Sequence, residues 1–217
     1  MNLAGMIDHT LLKPEATSEQ IERLCQEALE FGFASVCVNP VYVPQVSSRL
    51  KGSSVKTCTV IGFPLGASSS PIKAAEARHA VLQGAEELDM VISIGAVKSG
   101  RWNDVKEDIL AVCSVAGSSI VKVILETCLL TDDEIVRSCH IAKEAGAHFV
   151  KTSTGFSTAG ATREHVALMR QTVGPDMGVK ASGGIRTYED AMAMIAAGAN
   201  RLGASAGPKI LSDKRTT

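Results

Sequence analysis

Asp89, Lys151 and Lys180 each interrupt a run of aliphatic residues, in Glu87-Leu-Asp-Met-Val91, Phe149-Val-Lys-Thr152 and Gly178-Val-Lys-Ala181. Lys122 does the same in Ile120-Val-Lys-Val-Ile124. A lysine amine attacks a carbonyl only when neutral, and with an ordinary pKa of about 10.4 well under ~1% is neutral at pH 7. Burial and a neighbouring cation both penalise the ammonium and enlarge that fraction. Two lysines held side by side therefore permit one to act as nucleophile while the other stays protonated. A carboxylate beside them can carry protons through carbinolamine dehydration and hydrolysis.

The elements that must hold these groups alternate. Strand-like segments are read at Ile7–Leu11, Ala34–Asn39, Val55–Ile61, Glu86–Ser93, Ile120–Glu126, His148–Ser153, Gly178–Ser182 and Arg201–Ala204. Amphipathic stretches fall between them, among them Ser18–Phe31, Ala74–Gln83, Asp132–Ala145 and Tyr188–Ala197. Gly32, Gly52, Gly84, Gly117, Gly146, Gly174 and Gly198 stand where a helical pattern stops, and glycine suits the left-handed conformation there. Thr131-Asp-Asp-Glu134 and Thr187-Tyr-Glu-Asp190 carry the capping-box spacing of helix starts. Strict alternation implies a parallel sheet with right-handed crossovers, and eight such units predict a single (β/α)8 TIM barrel. A doubly wound open sheet would place G-x-G-x-x-G after the first strand, where Ile7-Asp-His-Thr-Leu-Leu-Lys-Pro14 stands instead. The predicted organisation is one catalytic barrel domain over residues 1–213, its final helix short (Pro208–Asp213), with a tail at 214–217.

Side chains of a strand alternate between faces, so parity sorts barrel interior from helix-facing positions. Leu88/Met90/Ile92, Val121/Val123/Leu125, Val150 with Thr152, and Val179/Ala181 form the sets that face the helices. Asp89, Lys122, Glu126, Lys151 and Lys180 then point inward, and Asp8 and Thr10 read the same way. Barrel interiors are ordinarily filled with branched aliphatics, and an isolated buried ion costs several kcal/mol. The inward charges form either an ion network plugging the barrel or a catalytic cluster at the strand ends where barrel active sites lie. Ser182-Gly183-Gly184 and Gly203-Ala-Ser205-Ala-Gly207 follow the last two strands, where barrels of this class cradle phosphate with backbone N–H groups and a short helix N-terminus. Arg186 is either a phosphate ligand or a solvated side chain.

The chain has 217 residues, with 22 Lys+Arg against 23 Asp+Glu, a balance that lacks the electrostatic footprint of a nucleic-acid surface or a polybasic membrane patch. No apolar run approaches the ~18 residues of a membrane span, and the N-terminus does not read as a signal peptide. Cys25, Cys37, Cys58, Cys113, Cys128 and Cys139 form no C-x-x-C pair and read as small buried hydrophobes. Their spacing excludes the usual zinc motifs and fits a reduced, cytoplasmic setting. His9, His79, His140, His148 and His165 are scattered, as packing or surface residues would be, and Trp102 reads as a packing anchor. Exposed apolar helix faces leave a homodimer open.

Several stretches together identify a resemblance. Ile7-Asp-His-Thr-Leu-Leu-Lys-Pro14, Val36-Cys-Val-Asn-Pro40, Gly62-Phe-Pro-Leu-Gly66, Glu87-Leu-Asp-Met-Val91, Phe149-Val-Lys-Thr-Ser-Thr-Gly155 and Gly178-Val-Lys-Ala-Ser-Gly-Gly-Ile-Arg-Thr187 resemble, in order and across essentially the whole chain, the bacterial 2-deoxyribose-5-phosphate aldolases. The resemblance implies reversible cleavage of 2-deoxy-D-ribose 5-phosphate into D-glyceraldehyde 3-phosphate and acetaldehyde, in deoxyribose phosphate catabolism, with no cofactor and no metal. It implies that Lys151 forms the Schiff base, that Asp89 and Lys180 are the proton-relay pair, and that Gly155, Gly183, Gly184, Gly203 and Ser205 surround the sugar phosphate. The partners implied are a small phosphosugar and acetaldehyde, not nucleic acid or membrane. The competing readings are an epimerase or isomerase on a phosphosugar barrel, and a non-catalytic barrel that binds a phosphate ligand.

Two positions depart from the family pattern. Many members end in a tyrosine that assists proton transfer at the enamine carbon, whereas this sequence ends Lys214-Arg-Thr-Thr217 and its tyrosines are Tyr42 and Tyr188. Phe156 stands where some relatives carry a lysine near the phosphate. Schiff-base formation is expected to survive while enamine protonation is slower or uses water. Solvent proton exchange into acetaldehyde should then be no faster than the aldol reaction, and exchange far faster than C–C bond formation would remove the expectation.

Overall fold

Eight parallel strands close into a barrel in unbroken chain order, each paired with its sequence neighbours and the last with the first. They are β1 (Ile7–Leu11), β2 (Ser35–Val38), β3 (Lys56–Ile61), β4 (Glu87–Val91), β5 (Ile120–Ile124), β6 (Phe149–Lys151), β7 (Gly178–Ser182) and β8 (Arg201–Ala204). The computed structural model describes residues 2–213. The predicted tail at 214–217 lies outside them. The α-helices are α1 (Ser18–Phe31), α2 (Val43–Leu50), α3 (Ser70–Leu82), α4 (Ile94–Lys98), α5 (Trp102–Cys113), α6 (Asp132–Glu144), α7 (Arg163–Val173), α8 (Tyr188–Ala196) and α9 (Gly207–Asp213). This is the single (β/α)8 barrel predicted from the alternation, with α4 added ahead of the helix of the fourth unit and a short final helix. Among the described residues, no helix is long and apolar enough to cross a membrane.

Local chemistry sets the boundaries. Both predicted capping boxes form: Thr131 and Glu134 exchange backbone and side-chain hydrogen bonds at the start of α6, as do Thr187 and Asp190 at α8. A third, Thr17 with Gln20, opens α1. All seven predicted helix-stop glycines take positive φ. Helix α3 begins at Ser70, four residues before the predicted Ala74, because Pro71 is tolerated in a first turn, whose N–H groups need no intrahelical partner. Strand β5 stops at Ile124, two residues short of the prediction, since Glu126 turns into the left-handed region at φ 57°.

Parity separates two apolar populations. The large cluster contains Val36, Val38, Leu88, Met90, Val121, Val123, Val150, Val179, Ala181 and Leu202, all packed between strands and helices. A second, small cluster of Leu12, Cys37, Cys58 and Val60, with Phe63 against it, lies apart from the first, on the inward parity of β2 and β3. One buried ion pair stands outside the barrel: Lys73 on α3 donates to Asp108 on α5 at 2.6 Å and to the Val91 carbonyl at 2.8 Å. It ties two helices to the end of β4. Trp102 packs against the core as expected, and the Arg137 guanidinium lies 4.4 Å over its ring.

Phe149 faces Gly178 in register between β6 and β7. A Cβ on Gly178 would sit 2.1 Å from the Phe149 ring. Gly178→Ala is therefore expected to cost about 1–3 kcal/mol by overpacking, read as a lowered urea midpoint with an unchanged m-value. A neutral result would mean that the ring moves freely.

Candidate active site

The inward charges meet in one network. Lys151 and Lys180 are register partners on β6 and β7, and Asp89 and Lys122 are register partners on β4 and β5. Asp89 Oδ2 accepts from Lys151 Nζ at 2.8 Å and from Lys180 Nζ at 2.7 Å, while Oδ1 accepts from Lys122 Nζ at 2.7 Å. Lys180 also pairs with Asp8. Lys122 pairs with Glu87 at 2.6 Å and lies 3.6 Å from Asp8. Arg201 closes the ring, 2.7 Å from Asp8 and 3.0 Å from Glu87. All of these groups except Arg201 are buried.

Unpaired, each ion would be driven to neutrality by the loss of water; paired, the opposite holds. Burial alone would raise the Asp89 carboxyl, but Lys122, Lys151 and Lys180 outweigh it and hold it well below the usual range. Asp8 is likewise lowered, burial being overcome by Lys180, Lys122 and Arg201. Burial would depress Lys180, but Asp8 and Asp89 reverse this and fix it as an ammonium. The repulsion between two bare lysines foreseen from sequence is thus modified. The two amines flank one carboxylate oxygen, which accepts a hydrogen bond from each.

The three lysines differ in access. A cavity of about 390 Å³ opens at the C-terminal ends of the strands, and Lys151 lines it whereas Lys122 and Lys180 do not. Lys151 has one ion-pair partner, Lys180 has two and Lys122 three. Gly155, Gly183, Gly184, Gly203 and Ser205 line the same cavity as Lys151, so the fold brings together every residue singled out for the phosphate end. Asp89 and Lys180 lie beneath its floor, joined to it through Lys151. Gly203 belongs to β8 itself. A Cβ there would stand 2.9 Å from Ser182 Cβ and 3.1 Å from Lys180 Cε, so its missing side chain makes room for the Lys180 stem. Lys13 and Arg186 are exposed cations on the cavity wall. Phe156, half exposed, meets Phe63 edge to face at 5.3 Å.

Three features escaped the sequence. Arg201, the first residue of a four-residue strand, shows too little alternation to reveal its inward direction. Glu126 is not a member of the ion network: it accepts from the Thr154 backbone N–H at 3.2 Å and from the Thr154 hydroxyl, clamping the loop that carries Gly155. Cys37 and Cys58 are buried in the small apolar cluster, as expected of small hydrophobes. They face each other in register between β2 and β3, and with Asp89 their ligand atoms all lie within 4.8 Å of one another. Sequence spacing does not reveal this juxtaposition, which strand register creates. The signal was their shared inward parity on neighbouring strands.

Asp89→Asn leaves the buried Lys122, Lys151 and Lys180 amines with a weaker acceptor and should cost about 3–5 kcal/mol. The lowered carboxyls stabilise the fold above their unfolded value near ~3.9, and this is lost as pH falls through the folded values. The raised Lys180 acts fully below ~10.4 and fades only as pH climbs through its higher folded value. The difference in unfolding free energy between parent and variant should therefore stay flat between about pH 5 and 9 and shrink below about pH 4. A slope across the neutral range would contradict this charge assignment.

With this geometry in view, comparisons with known proteins become informative. Residues 3–213 match the family described as DeoC/LacD family aldolase. The chain is 62% identical over 211 residues to a deoxyribose-phosphate aldolase of Streptococcus gordonii, covering 97% of this chain and 96% of that one. It is 60% identical over 216 residues to a deoxyribose-phosphate aldolase of Clostridium tetani, covering 99% and 100%. Among solved structures, the deoxyribose phosphate aldolase of Aeropyrum pernix, described as a unique tetramer, superposes with a TM-score of 0.92 at 38% identity, covering 99% of this chain and 91% of that one. A barrel whose interior is wired through one aspartate to three lysines, and whose sequence follows these enzymes from end to end, belongs to the DeoC/LacD family of aldolases.

Proposed function

We propose that this enzyme is a class I aldolase that reversibly cleaves 2-deoxy-D-ribose 5-phosphate into D-glyceraldehyde 3-phosphate and acetaldehyde, with Lys151 as the Schiff-base residue. The observation that carries the reading is the position of Lys151: of the three interior lysines it alone borders the cavity, and it shares the Asp89 oxygen with Lys180. Lys180 and Lys122 are held as cations by two and three carboxylates, so neither supplies a free electron pair. A cavity of about 390 Å³ suits a pentose phosphate, small-molecule sites falling at roughly 300–1,000 Å³.

In the cleavage direction Lys151 Nζ adds to C1 of the open-chain sugar. The carbinolamine hydroxyl leaves as water after taking a proton through Asp89, which Lys180 keeps supplied and oriented. The C3 hydroxyl then gives its proton to the Asp89 carboxylate of the relay, the C2–C3 bond breaks, and its electron pair moves into the iminium to give an enamine and glyceraldehyde 3-phosphate. Protonation at C2 and hydrolysis release acetaldehyde and regenerate the amine. The Gly183-Gly184 turn, Gly155, Gly203 and Ser205 surround the phosphate, and backbone N–H groups there suit a dianion. Lys13 and Arg186 add positive potential at the entrance, partly replacing the charge that Phe156 does not provide. The reading places the enzyme in deoxyribose phosphate catabolism in the cytoplasm.

Borohydride reduction in the presence of substrate should fix one stable adduct per chain on the peptide containing Lys151. Lys151→Arg keeps the charge but not an amine that can become neutral, and should lower turnover by at least ~10³-fold while substrate still binds. Retained turnover, or an adduct on Lys122 or Lys180, would overturn the assignment. A phosphosugar isomerase or a binding barrel would give no adduct at all.

A further inference from the structure

Cys37 and Cys58 lie on adjacent parallel strands as direct register partners, both fully buried, both with inward parity. Cys58 Sγ stands 3.4 Å from Asp89 Oδ1 and 3.4 Å from Lys122 Nζ. Bridging through a tetrahedral ion is well matched: ligands at about 2.3 Å for sulfur and about 2.0 Å for oxygen subtend about 3.5 Å, close to the observed separation of Cys58 and Asp89. Two thiolates and a carboxylate form a soft donor set that selects d¹⁰ ions over magnesium or calcium.

We propose that Cys37, Cys58 and Asp89 form an inhibitory binding site for a thiophilic divalent ion of the zinc and cadmium type. Binding breaks two S–H bonds and forms two metal–sulfur bonds. The two protons leave to solvent and nothing is oxidised or reduced. The exchange of two protons for one divalent ion leaves the charge of the surrounding network unchanged, which is what a site among three lysines requires. Leu12 borders the cavity and belongs to the same apolar cluster as the two thiols, so an ion arrives past its side chain. Once bound, the ion takes Asp89 Oδ1 from Lys122 and removes the carboxylate from proton transfer. This last step rests on the role proposed for Asp89.

Cadmium chloride titrated into the reduced full-length protein should give a saturable thiolate-to-cadmium absorption band at one ion per chain. Aldol cleavage should fall in parallel, and a chelator should restore it. Cys58→Ala should shift both midpoints by at least ~tenfold relative to its own uninhibited rate, and Cys37→Ala should do the same should the first variant not fold. Cys113→Ala should titrate as the parent does, and magnesium chloride should have no effect. A band that persists unshifted in both thiol variants, or none, would overturn the site. Because the band is read without substrate, a protein that bound cadmium but failed to cleave the phosphosugar would refute the function and leave the site standing. Normal cleavage at saturating cadmium would refute the inhibitory role.

Discussion

The sharing of one carboxylate by three lysine amines in a dry barrel is the constraint from which the remainder follows. Removing ions of this size from water costs several kcal/mol apiece even after relaxation, and only close, well-hydrogen-bonded partners offset it. Asp89 alone could not satisfy Lys122, Lys151 and Lys180, so Asp8 and Glu87 are drawn in, and Arg201 balances those. Side chains from β1, β4, β5, β6, β7 and β8 are thereby fixed relative to one another before any substrate arrives. Preorganisation of this kind gives a catalytic amine its position without a reorganisation cost during reaction.

The arrangement also selects among lysines that a sequence cannot rank. All three follow a valine and share inward parity. What distinguishes Lys151 is its place at the end of a three-residue strand, under the cavity, with a single carboxylate partner. Lys180, one strand further, is pulled down between Asp8 and Asp89, and the absent side chain of Gly203 lets its stem pass. The smallest residue in the site thus shapes the position of one of its longest.

Much of this was legible in the residues alone, because period-two alternation in strands is a strong signal when one face is uniformly aliphatic. Leu88 and Met90 against Asp89, or Val179 and Ala181 against Lys180, leave little freedom about which way the charge points. Helix ends were legible for a similar reason, since Thr131 with Glu134 and Thr187 with Asp190 are local chemistry. What stayed hidden depends on register and backbone conformation, which no single segment contains. The Cys37–Cys58 juxtaposition needs the pairing of β2 with β3, and the Glu126 clamp needs a left-handed turn at a residue with a side chain. Arg201 stands at the mouth of a strand too short to display a pattern.

The strand charges of the ion network are also segregated along the chain. Asp8, Glu87 and Asp89 all come from β1 and β4, while Lys122, Lys151, Lys180 and Arg201 all come from β5 to β8. The first four strands therefore form an anionic half-cylinder and the last four a cationic one. Neither half can bury its inner wall alone without stranding like charges in a low-dielectric space. Their mutual attraction instead specifies how the halves dock, and it penalises pairing of either half with a second copy of itself. Closure of the cylinder is written into the sign of its lining.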